Sequence, residues 1–213
     1  MKIKWLGHAA FLITSDSGVR IINDPYKPER EIKLGRIDEA ADIVTISHGH
    51  GDHSNAADVR GQPQVIRTTA EAKGIKFRAV RTYHDDAGGR EHGSNTVFCF
   101  EVDGVNLCHM GDIGHVLTPQ QVAEIGRVDV LILPVGGFFT IAVEGASRLC
   151  DQLKPRVVIP MHFRNEKVTM PIAGVDEFLK GKPNISRPDA SEVELKKESL
   201  PAATQIIVLK PAL

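Results

Sequence analysis

Short apolar runs separated by turn residues recur along the chain and predict a protein rich in β-strands. In the first half, the predicted strands cover residues 2–6, 10–14, 19–23, 42–47, 64–68, 77–83, 96–102 and 105–109. In the second half, strands over residues 128–134, 156–160 and 205–209 alternate with helical patterns. This order indicates one mixed α/β domain over residues 1–213, in which helices cover the sheet.

One hairpin is predicted together with its register. Asp103-Gly104 separates two strand-like runs, which favours a tight turn, expected to be of type I′. Counting outward from this turn places Cys99 opposite Cys108. We expect neighbouring but reduced thiols at these two positions.

Three helices are predicted from caps and apolar spacing. Residues 118–121 combine a capping-box pattern with a proline at the first helical position, and Gly126 ends this helix. Apolar residues at positions 143, 146, 149, 150 and 153 form one face of a second helix, which stops near Pro155. Residues 175–180 predict a short third helix.

Composition restricts the class of protein. The chain has 213 residues, of which 42% are hydrophobic and 25% charged, as in a soluble globular domain. The net charge is −1, without a long run of one sign, so nothing signals nucleic acid or membrane as a partner. Three cysteines form no disulfide framework, and neither a signal peptide nor a membrane span is recognisable. A reducing cytoplasm and a small-molecule substrate are expected, with homo-oligomerisation left open.

The candidate chemistry is concentrated in residues 48–53, His-Gly-His-Gly-Asp-His, directly after a predicted buried strand. Imidazole nitrogens and carboxylate oxygens bind zinc and harder divalent ions. A single histidine is usually a packed or exposed side chain. Four potential ligands within six residues are poorly explained in that way, so this segment predicts a metal site.

The motif His-x-His-x-Asp-His resembles the signature of the metallo-β-lactamase-fold hydrolases, and the resemblance covers nearly the whole chain. Residues 5–11 and 133–140 resemble more narrowly the branch that includes the ascorbate-6-phosphate lactonases. The resemblance implies a four-layer αββα sandwich, an α/β (α+β) fold with its metal site at one edge between the two sheets.

The resemblance also implies a ligand set for two divalent ions. The first ion would be held by His48, His50 and His84, the second by Asp52, His53 and His162, with Asp112 as the bridge. Asp52 and Asp112 would thereby take part in catalysis. Zinc is ranked first and manganese second, while iron and nickel also suit such ligands. Water activated between two ions would attack the substrate, so no serine or cysteine nucleophile is needed.

Further residues are predicted to support the site or to touch substrate. Asp24 is expected from the resemblance to brace the metal-binding loop, although composition alone favours a turn residue there. The remaining candidates are His8, Asp85, Arg90, Asn95, His109, Gly137 and Thr140. For His8 and His109, a packed or hydrogen-bonded histidine is an equal alternative. His92 is interpreted as a loop residue, and the charged stretch 26–41 as a solvated loop rather than a substrate-binding rim.

The function implied is metal-dependent hydrolysis of a small polar, anionic substrate such as a sugar-phosphate lactone. A phosphodiesterase or nuclease is the alternative within the enzymes. Thioester and β-lactam hydrolysis share the centre but lack support from its flanking residues. A redox module with iron and flavin ranks low because no flavin-binding domain is visible. A metal-free structural protein ranks low because every ligand position is present.

Overall fold

Two β-sheets form the centre of the computed structural model, which describes residues 1–213. The six-stranded sheet has the order β13-β1-β2-β3-β4-β5, and the eight-stranded sheet the order β12-β14-β11-β10-β9-β8-β7-β6. The strands are β1 (Lys2–Gly7), β2 (Ala10–Thr14), β3 (Arg20–Asn23), β4 (Ile43–Thr45), β5 (Gln64–Ile66), β6 (Ala70–Ala72), β7 (Ile75–Tyr83), β8 (Ser94–Val102), β9 (Val105–His109), β10 (Val130–Pro134), β11 (Val157–Met161), β12 (Ile185–Ser186), β13 (Glu192–Glu194) and β14 (Gln205–Ile207).

The helices are few and short: α1 (Pro119–Ile125), α2 (Val143–Leu153) and α3 (Val175–Leu179), with 3-10 turns at Ala56–Asp58 and Lys197–Ser199. The predicted capping box is present, since Thr118 and Gln121 exchange side-chain to backbone hydrogen bonds at the start of α1. Helix α1 packs on β7 and α2 on β10, so both cover the eight-stranded sheet. No helix combines the length and the apolar character that crossing a bilayer requires.

The central strands β2, β3 and β4 of the six-stranded sheet are buried on both faces. Along β2, Phe11 and Ile13 belong to a core of 46 buried residues that extends to the eight-stranded sheet. Ala10 and Leu12, which point to the opposite face, belong to a second core of 14 buried residues. Burial on both faces explains why these strands have nearly continuous apolar sequences.

An irregular segment, rather than a layer of α-helices, covers the outer face of the six-stranded sheet. Tyr26, Ile32, Leu34 and Ile37 are buried in the second core, between the exposed charged residues of the same stretch. The interpretation of residues 26–41 as a solvated loop therefore holds only for the charged side chains. The apolar side chains are spaced too irregularly along the sequence to indicate a helix, and each packs separately into the second core.

The predicted hairpin is confirmed. Val102 pairs with Val105 and Cys99 with Cys108 across β8 and β9. Asp103 and Gly104 have φ values of 52° and 75°, as both central residues of a type I′ turn require. The two cysteines are free, with their sulfur atoms 3.6 Å apart.

Candidate metal centre

The directions of the strands bring the candidate residues to one edge of the sandwich. In the first sheet, β1, β3 and β4 run the same way, because two antiparallel steps and one parallel step connect them. In the second sheet, β7, β9 and β11 also run the same way, because two antiparallel steps and two parallel steps connect them. Candidate residues follow the carboxyl ends of all six strands: His8, Asp24 and residues 48–53 in the first sheet, and His84, Asp112 and His162 in the second.

The first predicted ligand set comes together as expected. Candidate ligand atoms of His48, His50 and His84 all lie within 4.8 Å of one another. His48 and His84 are buried, whereas His50 is exposed on the solvent side. Three imidazoles at this spacing could hold one divalent ion and leave a coordination position open toward solvent.

The second predicted ligand set comes together with one additional residue, His8. Asp52, His53 and His162 lie together as predicted, and His8 joins them, with all four candidate ligand atoms within 4.8 Å of one another. Nε2 of His8 lies 3.2 Å from Oδ2 of Asp52. Both His8 and His162 have a φ of 51°, a left-handed conformation that is uncommon for histidine. Two such residues side by side indicate backbone strain at a functional site.

Asp112 lies between the two sets. Its Oδ2 is 3.1 Å from Nε2 of His84, which belongs to the first set. The same oxygen is 3.1 Å from Nε2 of His53 and 3.3 Å from Nε2 of His162, which belong to the second. One carboxylate oxygen is thus within reach of both groups of imidazoles.

Burial and charge act against each other on Asp112 and His53. Burial of Asp112 favours its neutral form, but the imidazoles of His162 and His53 outweigh burial and hold the pKa of this carboxyl well below its usual range. Burial likewise favours neutral His53, but Asp112 and Asp24 raise the pKa of its imidazole well above the usual value. An anionic Asp112 therefore needs positive charge beside it, supplied either by protons on imidazoles or by metal ions.

Other imidazoles of the site are held neutral. Burial, reinforced by His53, lowers the pKa of His48 to about 3. Burial and the neighbouring His162 lower the pKa of His8 to about 4. Only neutral imidazole offers a lone pair to a metal, so this environment favours the ligating form.

The residues present fit divalent metal ions. Oδ1 of Asp112 is buried without a hydrogen-bond partner, and Nε2 of His53, which also makes no hydrogen bond, lies 3.1 Å from the other carboxylate oxygen of Asp112. Buried polar atoms are rarely left unpaired, so these atoms indicate a missing electrophilic partner. A mixture of imidazole and carboxylate donors suits zinc, manganese, iron or nickel.

Asp24 supports this centre through hydrogen bonds to the backbone of Ser47 and to the ring of His53. Its carboxylate accepts hydrogen bonds from the backbone N–H of Ser47 at 2.8 Å and from Nδ1 of His53 at 2.9 Å. Asp24 is also close enough to His48 and His53 to form a third candidate ligand group. Because its oxygens are already used in these hydrogen bonds, we interpret Asp24 as a brace for the loop rather than as a ligand.

Two further predicted residues organise the backbone next to Asp112. Oδ1 of Asn95 accepts a hydrogen bond from the Asp112 backbone N–H at 3.0 Å. His109 contacts the carbonyl oxygen of Ala9 through Nε2 and accepts from the Gly111 N–H through Nδ1. Both side chains are buried in these contacts, and His109 lines neither of the cavities described below.

Asp85 and Arg90 have different positions in the loop after β7. The Asp85 carboxylate accepts four backbone hydrogen bonds, from residues 87, 89, 91 and 92, and so shapes the loop. These N–H donors lower the pKa of Asp85, with His92 contributing most. Arg90 is exposed and lines neither cavity, so the structure does not bring it to the metal centre.

A cavity of about 250 Å³ lies over the donor sets. It is lined by His50, Asp52, His84, His92, Asp112, Phe139, His162 and Met170. A second cavity of about 420 Å³ adjoins it and includes Thr140, one of the predicted residues. Gly137, with a φ of 63°, lines neither cavity, but its carbonyl oxygen accepts hydrogen bonds from the N–H groups of Phe139 and Thr140 and so closes the turn that contains Phe138 and Phe139.

The sequence did not identify His92, Phe139 and Met170 as parts of the site. His92 lies in a loop, as its sequence context predicts, and its side chain in addition lines both cavities, with its ring centre 5.4 Å from that of His84. The sequence feature that could have indicated a role for His92 is its place in the polar loop after β7, the strand that the predicted ligand His84 follows. Met170 comes from a distant irregular segment, and no pattern in the sequence places it here.

Comparisons with known proteins agree with this geometry. A family model described as the β-lactamase superfamily domain matches residues 2–162. The chain is 32% identical to a UPF0173 metal-dependent hydrolase of Carboxydothermus hydrogenoformans, covering 83% of this chain and 88% of that protein. It is 28% identical to a UPF0173 metal-dependent hydrolase of Archaeoglobus fulgidus, covering 99% and 96%.

A solved structure shows the same architecture. The crystal structure of a Thermotoga maritima protein, assigned to the zinc-dependent hydrolases of the metallo-β-lactamase superfamily, superposes with a TM-score of 0.81. It is 38% identical in sequence and covers 98% of this chain and 97% of its own. The two-sheet arrangement is therefore shared along almost the full length of both chains.

Proposed function

The chain belongs to the UPF0173 metal-dependent hydrolases of the metallo-β-lactamase superfamily, and from that membership we propose that it hydrolyses its substrate at a dinuclear metal centre built around Asp112. The observation that carries this proposal is the position of Asp112 Oδ2, which is 3.1 Å from His84 Nε2 and 3.1 Å from His53 Nε2. A carboxylate that faces both donor sets is suited to join two cations.

Each group of residues has a distinct role in this proposal. His48, His50 and His84 hold one ion, and Asp52, His53 and His162 hold the other. Bound ions would supply a nucleophile at neutral pH by lowering the pKa of water, and would offset negative charge that develops on the substrate. Zinc is our first choice and manganese our second, because imidazole nitrogens outnumber carboxylate oxygens in the combined set.

The surrounding chain keeps these donors in place. Asp24 orients the imidazole of His53, and Asn95 holds the backbone of Asp112. Gly111 and Gly114 flank Asp112 where the chain is tightly packed: a Cβ on Gly111 would collide with Asn95, and one on Gly114 with the Asp85 backbone. Such rigid support is what a preorganised centre requires.

For the substrate, we propose an activated carbonyl compound of the lactone or ester type. The likeness of residues 5–11 and 133–140 to the lactonase branch supports this choice. A phosphate ester is the alternative within the same chemistry. The resemblance implies an anionic substrate, but no lysine or arginine lines either cavity.

Metal analysis followed by a substrate screen tests this function. We expect about two equivalents of a divalent metal per chain and hydrolysis within a panel of lactones, carboxylic esters, thioesters and phosphodiesters. Asp112→Asn should greatly reduce turnover, whereas Asp151→Asn, which changes an exposed aspartate on α2, should not change it. A metal-loaded protein without turnover on any member of the panel would contradict the proposed function.

A further inference from the structure

We propose that the 420 Å³ cavity beside the metal centre is the subsite for the non-reacting part of the substrate, and that it takes an apolar group bearing a positive charge. This rests on the proposed function, because that function places the reacting bond in the neighbouring 250 Å³ cavity. A substrate with a positively charged apolar group differs from the anionic substrate expected from the resemblance.

The two cavities are continuous. His84, His92 and Phe139 line both of them. His84 also belongs to the first donor set, so a molecule whose reacting bond lies near Asp112 can extend past His84 without leaving the protein surface. The larger cavity is therefore the direct extension of the metal centre.

One wall of the larger cavity is apolar and aromatic. It is formed by Val116, Phe138, Phe139, Ile141 and Ala142. The Phe138 side chain is unusually open for an aromatic residue, at 73% exposure, and its backbone has a left-handed φ of 63°. Its ring meets that of Phe139 at 4.7 Å with an interplanar angle of 80°. An apolar group seated there would remove aromatic surface from water, and ring faces also attract cations.

Another part of the cavity lining is acidic. Asp86 and Glu91 line the cavity and are exposed, whereas the neighbouring Asp85 already uses its carboxylate for four backbone N–H groups. No lysine or arginine lines either cavity. An anionic group would meet two uncompensated carboxylates here, while a cationic group would be complementary to them.

The remaining titratable side chains do not change this balance. His115 accepts a hydrogen bond from the Tyr83 N–H through Nε2 and contacts the Val116 carbonyl oxygen through Nδ1, so both ring nitrogens are engaged within the protein. His84 faces Asp112 through Nε2, so this nitrogen is directed into the metal centre rather than into the larger cavity. His92 lies at the junction of the two cavities.

An unpaired hydroxyl gives an independent indication of a ligand. Oγ1 of Thr140 is buried without a hydrogen-bond partner, and Thr140 lines the cavity. The residue itself is only 8% exposed. Buried hydroxyls are normally satisfied, so an unpaired one in the cavity wall indicates that a polar partner is supplied when the cavity is occupied.

Binding of three matched probes to the metal-loaded protein tests the proposal. Phenethylamine, 2-phenylethanol and 3-phenylpropionate share a phenyl ring on a two-carbon chain and differ in charge. Affinities would be measured by NMR titration of isotopically labelled protein, with the site defined by shifts at residues 86–92 and 138–142. We expect phenethylamine to bind about fivefold more tightly than 2-phenylethanol, given the modest strength of exposed ion pairs, and 3-phenylpropionate most weakly at these residues.

Variants test the contributions of the acidic residues and of the aromatic wall separately. The double variant Asp86→Asn/Glu91→Gln should remove the preference for phenethylamine and leave the affinity for 2-phenylethanol unchanged. Phe138→Ala should weaken both probes. Glu198→Gln, an exposed glutamate on a distant 3-10 turn, is the matched control and should change neither affinity.

Equal affinity for the three probes, or stronger binding of 3-phenylpropionate at residues 138–142, would overturn the proposal. So would a preference for phenethylamine that persists in the double variant. These measurements do not depend on turnover. A charge preference of the expected kind in a protein that hydrolyses nothing in the panel would support the cation-binding cavity and overturn the proposed function alone.

Discussion

Asp24 Oδ2 lies 2.9 Å from Nδ1 of His53, and both side chains are fully buried. This contact keeps a hydrogen on Nδ1 of His53 and directs Nε2 toward Asp112, where Nε2 would offer its lone pair to a metal ion that takes the place of its proton. A carboxylate in that position orients an imidazole ligand and makes it a better donor.

We therefore predict that Asp24→Asn lowers metal affinity about 10–100-fold, the usual effect of losing such a partner. An asparagine amide cannot offer the same negative acceptor to both His53 and the Ser47 backbone. Affinity would be measured by competition with a chromogenic chelator. Asp151→Asn is the control, because it removes the same charge from an exposed aspartate on α2 that belongs to neither donor set; equal losses in both variants would argue against the orienting role.

Away from the centre, Glu39 connects two strands of the six-stranded sheet. It accepts hydrogen bonds from Lys4 Nζ at 2.8 Å and from Arg20 Nη2 at 2.6 Å. Burial alone would raise the pKa of Glu39, but these two cations outweigh burial and lower it. Each partly exposed ion pair of this kind contributes roughly 0.2–1 kcal/mol to the free energy of unfolding.

The lowered pKa gives the sign of a pH effect. The contribution of Glu39 should be fully present above 4.5, its value when unperturbed, and should be lost as the pH falls through the folded-state pKa. Glu39→Gln should accordingly destabilise the protein at pH 7 and have little effect at pH values below the folded-state pKa of Glu39. Urea unfolding of both proteins across this range provides the measurement, and a difference that grows on acidification would contradict the prediction.

The loop that carries His92 depends on Asp85. Its carboxylate accepts the Ala87 and Gly89 N–H groups through Oδ1 and the Glu91 and His92 N–H groups through Oδ2. Asp85→Asn replaces one of these acceptor oxygens with a donor. We expect faster hydrogen exchange at the amides of residues 87–92, with Asp86→Asn as a neighbouring control that removes charge but no acceptor. Unchanged exchange in Asp85→Asn would show that the loop is held by other contacts.

Much of the fold was predictable because local signals agree with the tertiary structure. The turn at Asp103-Gly104 determined the hairpin register, so Cys99 opposite Cys108 followed from counting. The capping box at Thr118 likewise identified the first helical residue. In contrast, strands β6, β12 and β13 have only two or three residues each, too few to show a period, and pair at or near sheet edges.

The site was predictable to the extent that its residues follow strand ends. The two imidazole groups around Asp112 assemble where the motif and the strand order imply. The cavity walls were not predictable, since Phe139 and Met170 approach from separate irregular segments. Nor does sequence spacing show that His8 lies beside Asp52, 44 positions away, since that contact depends on the packing of two turns.

His8 is a further test of the second donor set. Its Nε2 lies 3.2 Å from Asp52 Oδ2, and its left-handed φ of 51° is a conformation that asparagine also tolerates. His8→Asn should therefore keep the backbone while removing the imidazole that holds Asp52. We expect one of two metal equivalents to be lost at a lower chelator concentration than the other. Thermal unfolding of the metal-free variant checks the fold, and simultaneous loss of both equivalents would contradict a role confined to the second set.

The proposed mechanism depends most on Asp112. Asparagine keeps the shape of this side chain but removes the negative charge that faces His84 on one side and His53 on the other. Asp112→Asn should therefore weaken metal binding at both positions and greatly reduce turnover. The fold should survive, because the core of 46 buried residues is formed by other side chains. Metal stoichiometry, circular dichroism and turnover of the purified variant provide the test. Full metal content with unchanged turnover would show that Asp112 joins no metal ions, and the dinuclear centre would then have to be abandoned.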